Sequence, residues 1–149
     1  MSSISIREAT SNDANAISEL LQELGYPLSP SETAARIDCY QKISSSVLVA
    51  DNMDKTVGFL SFHFTPLFHT SGNLGRITAM CVSKKCQRIG IGRALLEELD
   101  GIAIKGNCQR IEVISGDQRS RDAHLFYQTC GYAMESRRFL KHLHHQLLY

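Results

Sequence analysis

Gly90 and Gly92 stand two apart in the stretch Val82-Ser-Lys-Lys-Cys-Gln-Arg-Ile-Gly-Ile-Gly-Arg-Ala-Leu-Leu96, between an apolar run and an amphipathic one. Where the second run opens a helix, the first N–H groups have no internal partner. The aligned peptide dipoles add about half a positive charge at the same point. Two residues without a Cβ let a ligand come close to that main chain. The chemistry this suits is the binding of phosphate, and above all of a diphosphate. Lys84, Lys85, Arg88 and Arg93 supply local positive charge. An ordinary tight strand-to-helix turn also reads this way, so other residues must decide. A P-loop ends in Gly-Lys-Ser/Thr, which Gly92-Arg93-Ala94 does not supply, and a dinucleotide fingerprint has a third glycine where Leu95 stands.

The elements that must position this turn follow from periodicity. Residues 3–9 alternate apolar and polar side chains and predict a strand. Asn12 or Asp13 caps a helix whose face is Ile17, Leu20, Leu21 and Leu24, with Gly25 as its stop. Ser29 and Glu32 form a capping box for a second helix, which has Pro30 in its first turn and turns Ala34, Ile37 and Tyr40 or Cys39 inward. Ser46–Asp51 and Val57–Phe64 predict a hairpin, 66–72 a loop, and Leu74–Val82 a further strand. Gly90–Lys105 is a helix with Ile91, Ala94, Leu95, Leu99 and Ile102 on one side. Arg110–Ser115 is a strand and Asp122–Cys130 a short helix ended by Gly131. The tail from Tyr132 through Leu143 predicts one or two last strands. The order β-α-α-β-β-β-α-β-α-β is that of an α/β (α+β) mixed sheet in one domain, residues 1–149, with helices on its faces.

The chain has 149 residues, 43% of them hydrophobic, enough to bury a core without cross-links. Sixteen basic against 15 acidic side chains give a charge of +1, so no bulk field draws the chain to nucleic acid or an acidic membrane. Any anionic ligand must be held locally. Cys39, Cys81, Cys86, Cys108 and Cys130 lack CxxC spacing and predict small buried thiols in a reducing cytoplasm. No signal-like leader and no apolar run of about 18 residues is present, which places the expected protein in the cytoplasm, away from the membrane. His142, His144 and His145 on a polar tail read as solvated side chains, and no metal is expected.

Gln87-Arg88-Ile89-Gly90-Ile91-Gly92 resembles the Q/R-x-x-G-x-G/A signature of the GNAT superfamily of acyl-CoA N-acyltransferases. A second stretch, Ala123-His-Leu-Phe-Tyr127-Gln-Thr-Cys-Gly131-Tyr132, is similar to the A-x-x-F/L-Y-x-x-x-G-F/Y helix that follows the signature in that family. The opening Ile-Arg-Glu-Ala-Thr10 and the later Glu-Leu-Gly-Tyr-Pro27 also look like small members of it, so the resemblance runs along essentially the whole chain.

The resemblance implies a mostly antiparallel sheet whose central parallel pair splays around acetyl-CoA, the acyl donor. Backbone groups over Gln87, Arg88, Ile89, Gly90, Ile91, Gly92, Arg93 and Ala94 would hold its diphosphate. The edge Ala79–Val82, with Met80, Cys81 and Val82, would pair with the pantetheine arm, opposite a partner strand Ile111–Ser115. Ser120, Ala123 and Phe126 would complete the cofactor contacts, with Ser120 where relatives often carry Asn. Arg119 and Arg121 would lie near the 3′-phosphate or the substrate. Tyr127 would protonate the leaving thiolate, and a main-chain N–H near Met80 to Val82 would stabilise the oxyanion. Many relatives carry a carboxylate on the strand before the signature, whereas Arg76–Val82 has none. His63 is the candidate base, with His69, Glu112 or a water chain as alternatives. The implied reaction is acetyl transfer to a primary amine of a small molecule or peptide in a ternary complex, by a possible homodimer. A CoA-binding regulatory module without turnover is the alternative.

Overall fold

The alternating, β-branched runs become five strands of one sheet: β1 (Ile4–Glu8), β2 (Ser45–Asn52), β3 (Lys55–Pro66), β4 (Asn73–Val82) and β5 (Cys108–Val113). They lie in the spatial order β1-β2-β3-β4-β5. The structure, a computed structural model, describes residues 3–114, 121–135 and 138–143. Neighbours are antiparallel from β1 to β4, and β5 runs parallel to β4. A parallel pair needs a long crossover, and α3 (Ile91–Lys105) is that crossover. The other helices are α1 (Ala14–Leu24), α2 (Pro30–Tyr40) and α4 (Arg121–Thr129). The chain forms two compact units: Met1–Ile114 holds the sheet with α1 to α3, and Ser115–Tyr149 holds α4.

Helices cover both faces of the sheet, and strand alternation decides which side chains meet them. Val47, Val49 and Phe59 point to one face and are buried with Ile17 and Leu20 of α1 and Ile37 of α2. Leu48 and Leu60, opposite each other in register, point to the other face and are 2% and 0% exposed. On that face α3 buries Ile91, Leu95, Leu96, Leu99 and Ala103. It comes close to the sheet at Gly58, where a Cβ would lie 3.2 Å from both the Cys81 carbonyl oxygen and Ile91 Cγ2. Each fully buried Leu or Ile contributes about 1.5–3 kcal/mol, so the two-sided burial is what holds β3 and β4 in place.

Several sequence-based expectations change in detail. A capping box forms first at Thr10 and Asp13, around the short turn Ser11–Asp13, and Asp13 makes no side-chain cap of its own to α1. Its carboxylate instead accepts from Thr10 N at 2.8 Å and from both terminal nitrogens of Arg7. The Ser29–Glu32 box forms as the spacing predicts. Tyr40, not Cys39, turns inward, since Cys39 is exposed and Tyr40 packs against the α1–α2 core. None of the five cysteines is fully buried.

The tail departs from expectation: residues 132–135 and 138–143 form no strand. A strand-like composition alone does not make a strand, because its backbone groups need a ladder partner. Phe139 and Leu143 are exposed, so no apolar face is buried to hold that segment in register. In consequence the parallel pair stands at one end of the described sheet, with β5 as its last strand.

Candidate active site

The turn after β4 is built by local hydrogen bonds. Ser83 Oγ accepts from Lys85 N at 3.4 Å, Ser83 O accepts from Cys86 N at 2.9 Å, and Lys84–Cys86 close into one 3-10 turn. Glu23, in the last turn of α1, accepts from Lys84 N at 2.9 Å and so ties the turn to that helix. The chain then bends twice through left-handed backbone, at Arg88 (φ 70°) and at Gly90 (φ 90°). A left-handed residue followed by right-handed ones curls successive N–H groups into a concavity that suits an anion. Ala94 N, bonded to Gly90 O at 3.0 Å, is the first helical donor of α3. Among the described residues, no protein group accepts from the N–H groups of Arg88 through Arg93.

Most of this array faces solvent, with Ile91 buried. Gln87, Arg88, Ile89 and Gly90 are all exposed, as are Lys84, Lys85 and Arg93. A Cβ built on Gly90 meets nothing within 4 Å. Gly90 therefore answers a backbone requirement, and the space above it is open to a ligand.

The second feature is the parting of β4 from β5. Their ladder runs from Asn73↔Cys108 to Ile77↔Val113 and stops there, while β4 continues paired to β3 as far as Gly58↔Val82. Antiparallel pairing alternates the direction of backbone groups. Ser83 N donates to Val57 O at 2.8 Å, so Met80 and Val82 direct their backbone groups away from β3, towards the side that β5 has left. Their side chains share the α3 face of the sheet. Cys81 points to the other face, where its Sγ donates to Leu20 O at 3.4 Å.

A β-bulge coincides with the parting. Ser61 pairs with Ala79 and Phe62 with Ile77, so Thr78 is an extra residue on β4. Beyond it lies a polar lane. Ser45 of β2, His63 of β3, Arg76 of β4 and Glu112 of β5 follow one another in register across the sheet. Arg76 Nε donates to Glu112 Oε1 at 2.7 Å, and Arg76 Nη2 bonds the same oxygen. Arg76 and Glu112 are 42% and 35% exposed, and such half-solvated pairs are worth about 0–1 kcal/mol. Their consequence is positional, since Arg76 holds a carboxylate beside β4, which has none of its own in residues 76–82.

His63 thus lies half-buried on this lane, whereas His69 lies exposed in the 67–72 loop. In the second unit, Tyr127 lies on α4 with Ala123 and Phe126. Its ring stands edge-on to Phe126 and to Tyr132, with centroids 5.2 Å and 5.7 Å away, and Tyr132 N donates to Tyr127 O at 3.0 Å. Ser120, Arg119, Ser115, His144 and His145 lie outside the described residues, as does the side chain of Arg121. Among the described residues no group of acidic, His and Cys side chains could hold a metal ion. Sequence reasoning missed the bulge at Thr78 and the Glu23 tie, since both depend on pairings that no short-range spacing encodes.

The acetyltransferase (GNAT) family matches the chain over residues 14–132, from the start of α1 to Tyr132. A GNAT family acetyltransferase of Staphylococcus aureus is 22% identical, with a TM-score of 0.80 over 96% of this chain and 100% of that one. A Trypanosoma brucei acetyltransferase is 24% identical, with a TM-score of 0.79 over 94% and 99%. A ribosomal-protein-alanine N-acetyltransferase of Brucella melitensis is 17% identical, with the same TM-score and coverage. At these identities the likeness is one of fold. No curated protein matches the chain.

Proposed function

Because the chain belongs to the acetyltransferase (GNAT) family, we propose that it transfers an acetyl group from acetyl-CoA to a primary amine of a small molecule or peptide, by direct attack in a ternary complex. The observation that carries this reading is the run of N–H groups from Arg88 to Arg93, without protein acceptors among the described residues, around an open Gly90. Those donors fit a diphosphate. Val82 and Ala94 bound the segment, and Gln87, Ile89, Ile91 and Gly92 shape it. The pantetheine arm lies along Ala79–Val82, past the last β4–β5 pair, as an added strand. Ser120, Ala123 and Phe126 are proposed cofactor contacts on the strength of the family motif. The family match spans parts of both compact units, which supports 1–149 as one functional domain.

In the reaction the amine nitrogen bonds to the thioester carbon, the C–S bond breaks, and the sulfur leaves as a thiolate. Tyr127, in the matched A-x-x-F/L-Y motif, gives its phenol proton to that sulfur. A backbone N–H among Met80 to Val82 donates to the oxygen on which charge develops. His63 takes the proton that the ammonium must lose, directly or through water. The acceptor approaches from the α1–α2 side, where the polar lane of His63, Arg76 and Glu112 lies. The Brucella enzyme's name specifies a protein alanine, which supports including peptidyl amines in the substrate class.

The test is release of free CoA thiol from acetyl-CoA with a panel of small and peptidyl amines. Steady release supports the transferase. Tight acetyl-CoA binding with no release from any amine would favour a regulatory module, the reading suggested by the lack of a carboxylate in residues 76–82.

A further inference from the structure

The polar lane ends on β5 in an ion pair that leaves part of each partner unused. A guanidinium carries five N–H donors in a planar fork, and a carboxylate has two accepting oxygens. Arg76 directs its Nε donor and one on Nη2 to a single oxygen, Glu112 Oε1. The outer edge of the fork, made by Nη1 and the other Nη2 hydrogen, has no protein acceptor among the described residues. Glu112 Oε2 likewise has no protein donor among them. Both side chains are partly open to solvent. The pair also stands where an acceptor must pass. Arg76↔Glu112 is the rung beside Ile77↔Val113, the last one before β4 and β5 part. It is thus one residue, about 3.4 Å of strand, from the gap. His63 faces Arg76 in register and shares the sheet face of Ser61. Ser61 meets Thr78 at 2.7 Å, and Thr78 meets Tyr40 of α2 at 2.9 Å, so this is the α1–α2 side of the sheet.

Charge decides what fits such a pair. A lone cation drawn to Glu112 meets the repulsion of Arg76, and a lone anion drawn to Arg76 meets that of Glu112. A solute with both signs a few ångströms apart satisfies both. Its carboxylate takes the outer edge of the Arg76 fork through two parallel hydrogen bonds, and its ammonium lies on the Glu112 Oε2 side. A polyamine or a lysine side chain of a protein brings positive charge without the matching negative one. The arrangement therefore both attracts one class of amine and repels the others.

We infer that Arg76, oriented by Glu112, selects an acceptor whose carboxylate stands beside its amine, so that the substrate is a free amino acid. The inference rests on the transferase reading above and narrows its substrate class. The test is release of CoA thiol by the full chain from acetyl-CoA, with the common L-amino acids, the carboxamide of each, and spermidine as acceptors. A carboxamide keeps the amine and the side chain and lacks only the negative charge. The best amino acid is expected to exceed its carboxamide in kcat/KM by roughly 10- to 100-fold, the effect of one charge-assisted contact. Arg76→Gln is expected to abolish that preference by acting on the acid far more than on the carboxamide, whereas a merely structural role would lower both alike. Arg76→Lys keeps the charge without the planar fork and is expected to restore part of the preference. Carboxamides or spermidine used at least as well as every amino acid would overturn the inference and leave the transferase reading intact. A preference for the acid that survives Arg76→Gln would also overturn it. No release from any acceptor would overturn the transferase reading itself, and the inference with it.

Discussion

Replacing Gly90 with alanine separates the backbone demand of the turn from its proposed use as a diphosphate seat. At φ 90° an L-residue is strained, at a cost of roughly 1–2 kcal/mol. Nothing within 4 Å clashes with the new Cβ, so no packing cost is added. For a chain of this size that strain lowers the melting temperature by about 2–4 °C per kcal/mol. The effect on binding is larger. A methyl in the open space above Gly90 displaces an anion bonded to the neighbouring amides. Losing one charge-assisted hydrogen bond of about 1.5–3 kcal/mol weakens binding by roughly 10- to 100-fold. Gly101→Ala is the control: Gly101 lies inside α3 with open space around it, and the change should stabilise the protein by about 0.5–1 kcal/mol without altering affinity. Calorimetric titration with acetyl-CoA and a thermal melt of each variant read both quantities. A Gly90→Ala protein that melts lower yet binds acetyl-CoA as tightly as the wild type would refute the reasoning.

Tyr127→Phe should lower kcat by about 100-fold while leaving acetyl-CoA affinity unchanged, as loss of a proton donor does; unchanged turnover would end its role as acid. His63→Gln should lower kcat by about 10- to 100-fold with acetyl-CoA affinity retained, read by the same thiol-release assay. Gly58→Ala should cost about 1–3 kcal/mol in denaturant unfolding, because its Cβ would press on the Cys81 carbonyl and on Ile91 of α3. The Asp13 carboxyl is held below its usual range, first by hydrogen bonds from Arg7 against an opposing desolvation, then by Thr10 N. A lowered folded pKa contributes stability that is complete above the unfolded value, about 3.9, and is lost as pH falls through the folded one. Asp13→Asn should therefore be less stable than wild type at neutral pH, with the gap closing below about pH 4 in unfolding titrations.

The parts of the fold legible in the sequence are those fixed by short-range pattern. Ser29-Pro30-Ser31-Glu32 specifies a cap that forms as written, because its partners lie three residues apart. The 3.6-residue spacing of Ile17, Leu20 and Leu24 names α1 correctly because that helix buries one face, and the continuous apolar runs of β2 and β3 name strands that are buried on both. The glycine turn was legible for the same reason, although the left-handed backbone at Arg88 was not, because arginine gives no sign of it. What depended on pairing was hidden. The tail reads as one or two last strands, but among the described residues it has no ladder. Thr78 looks like any β-branched residue in a strand, and only the register of β3 against β4 makes it a bulge bonded to Tyr40, 38 positions away. Arg76 stands where a carboxylate was sought, and the carboxylate arrives from β5 through Glu112.

The most direct measurement is the crystal structure of the chain with acetyl-CoA bound. The account predicts diphosphate oxygens at about 2.7–3.2 Å from backbone nitrogens between Arg88 and Arg93, with the acyl arm running beside β4 beyond Ile77. A bound acetyl-CoA whose phosphates lie elsewhere, with those nitrogens facing only water, would contradict it.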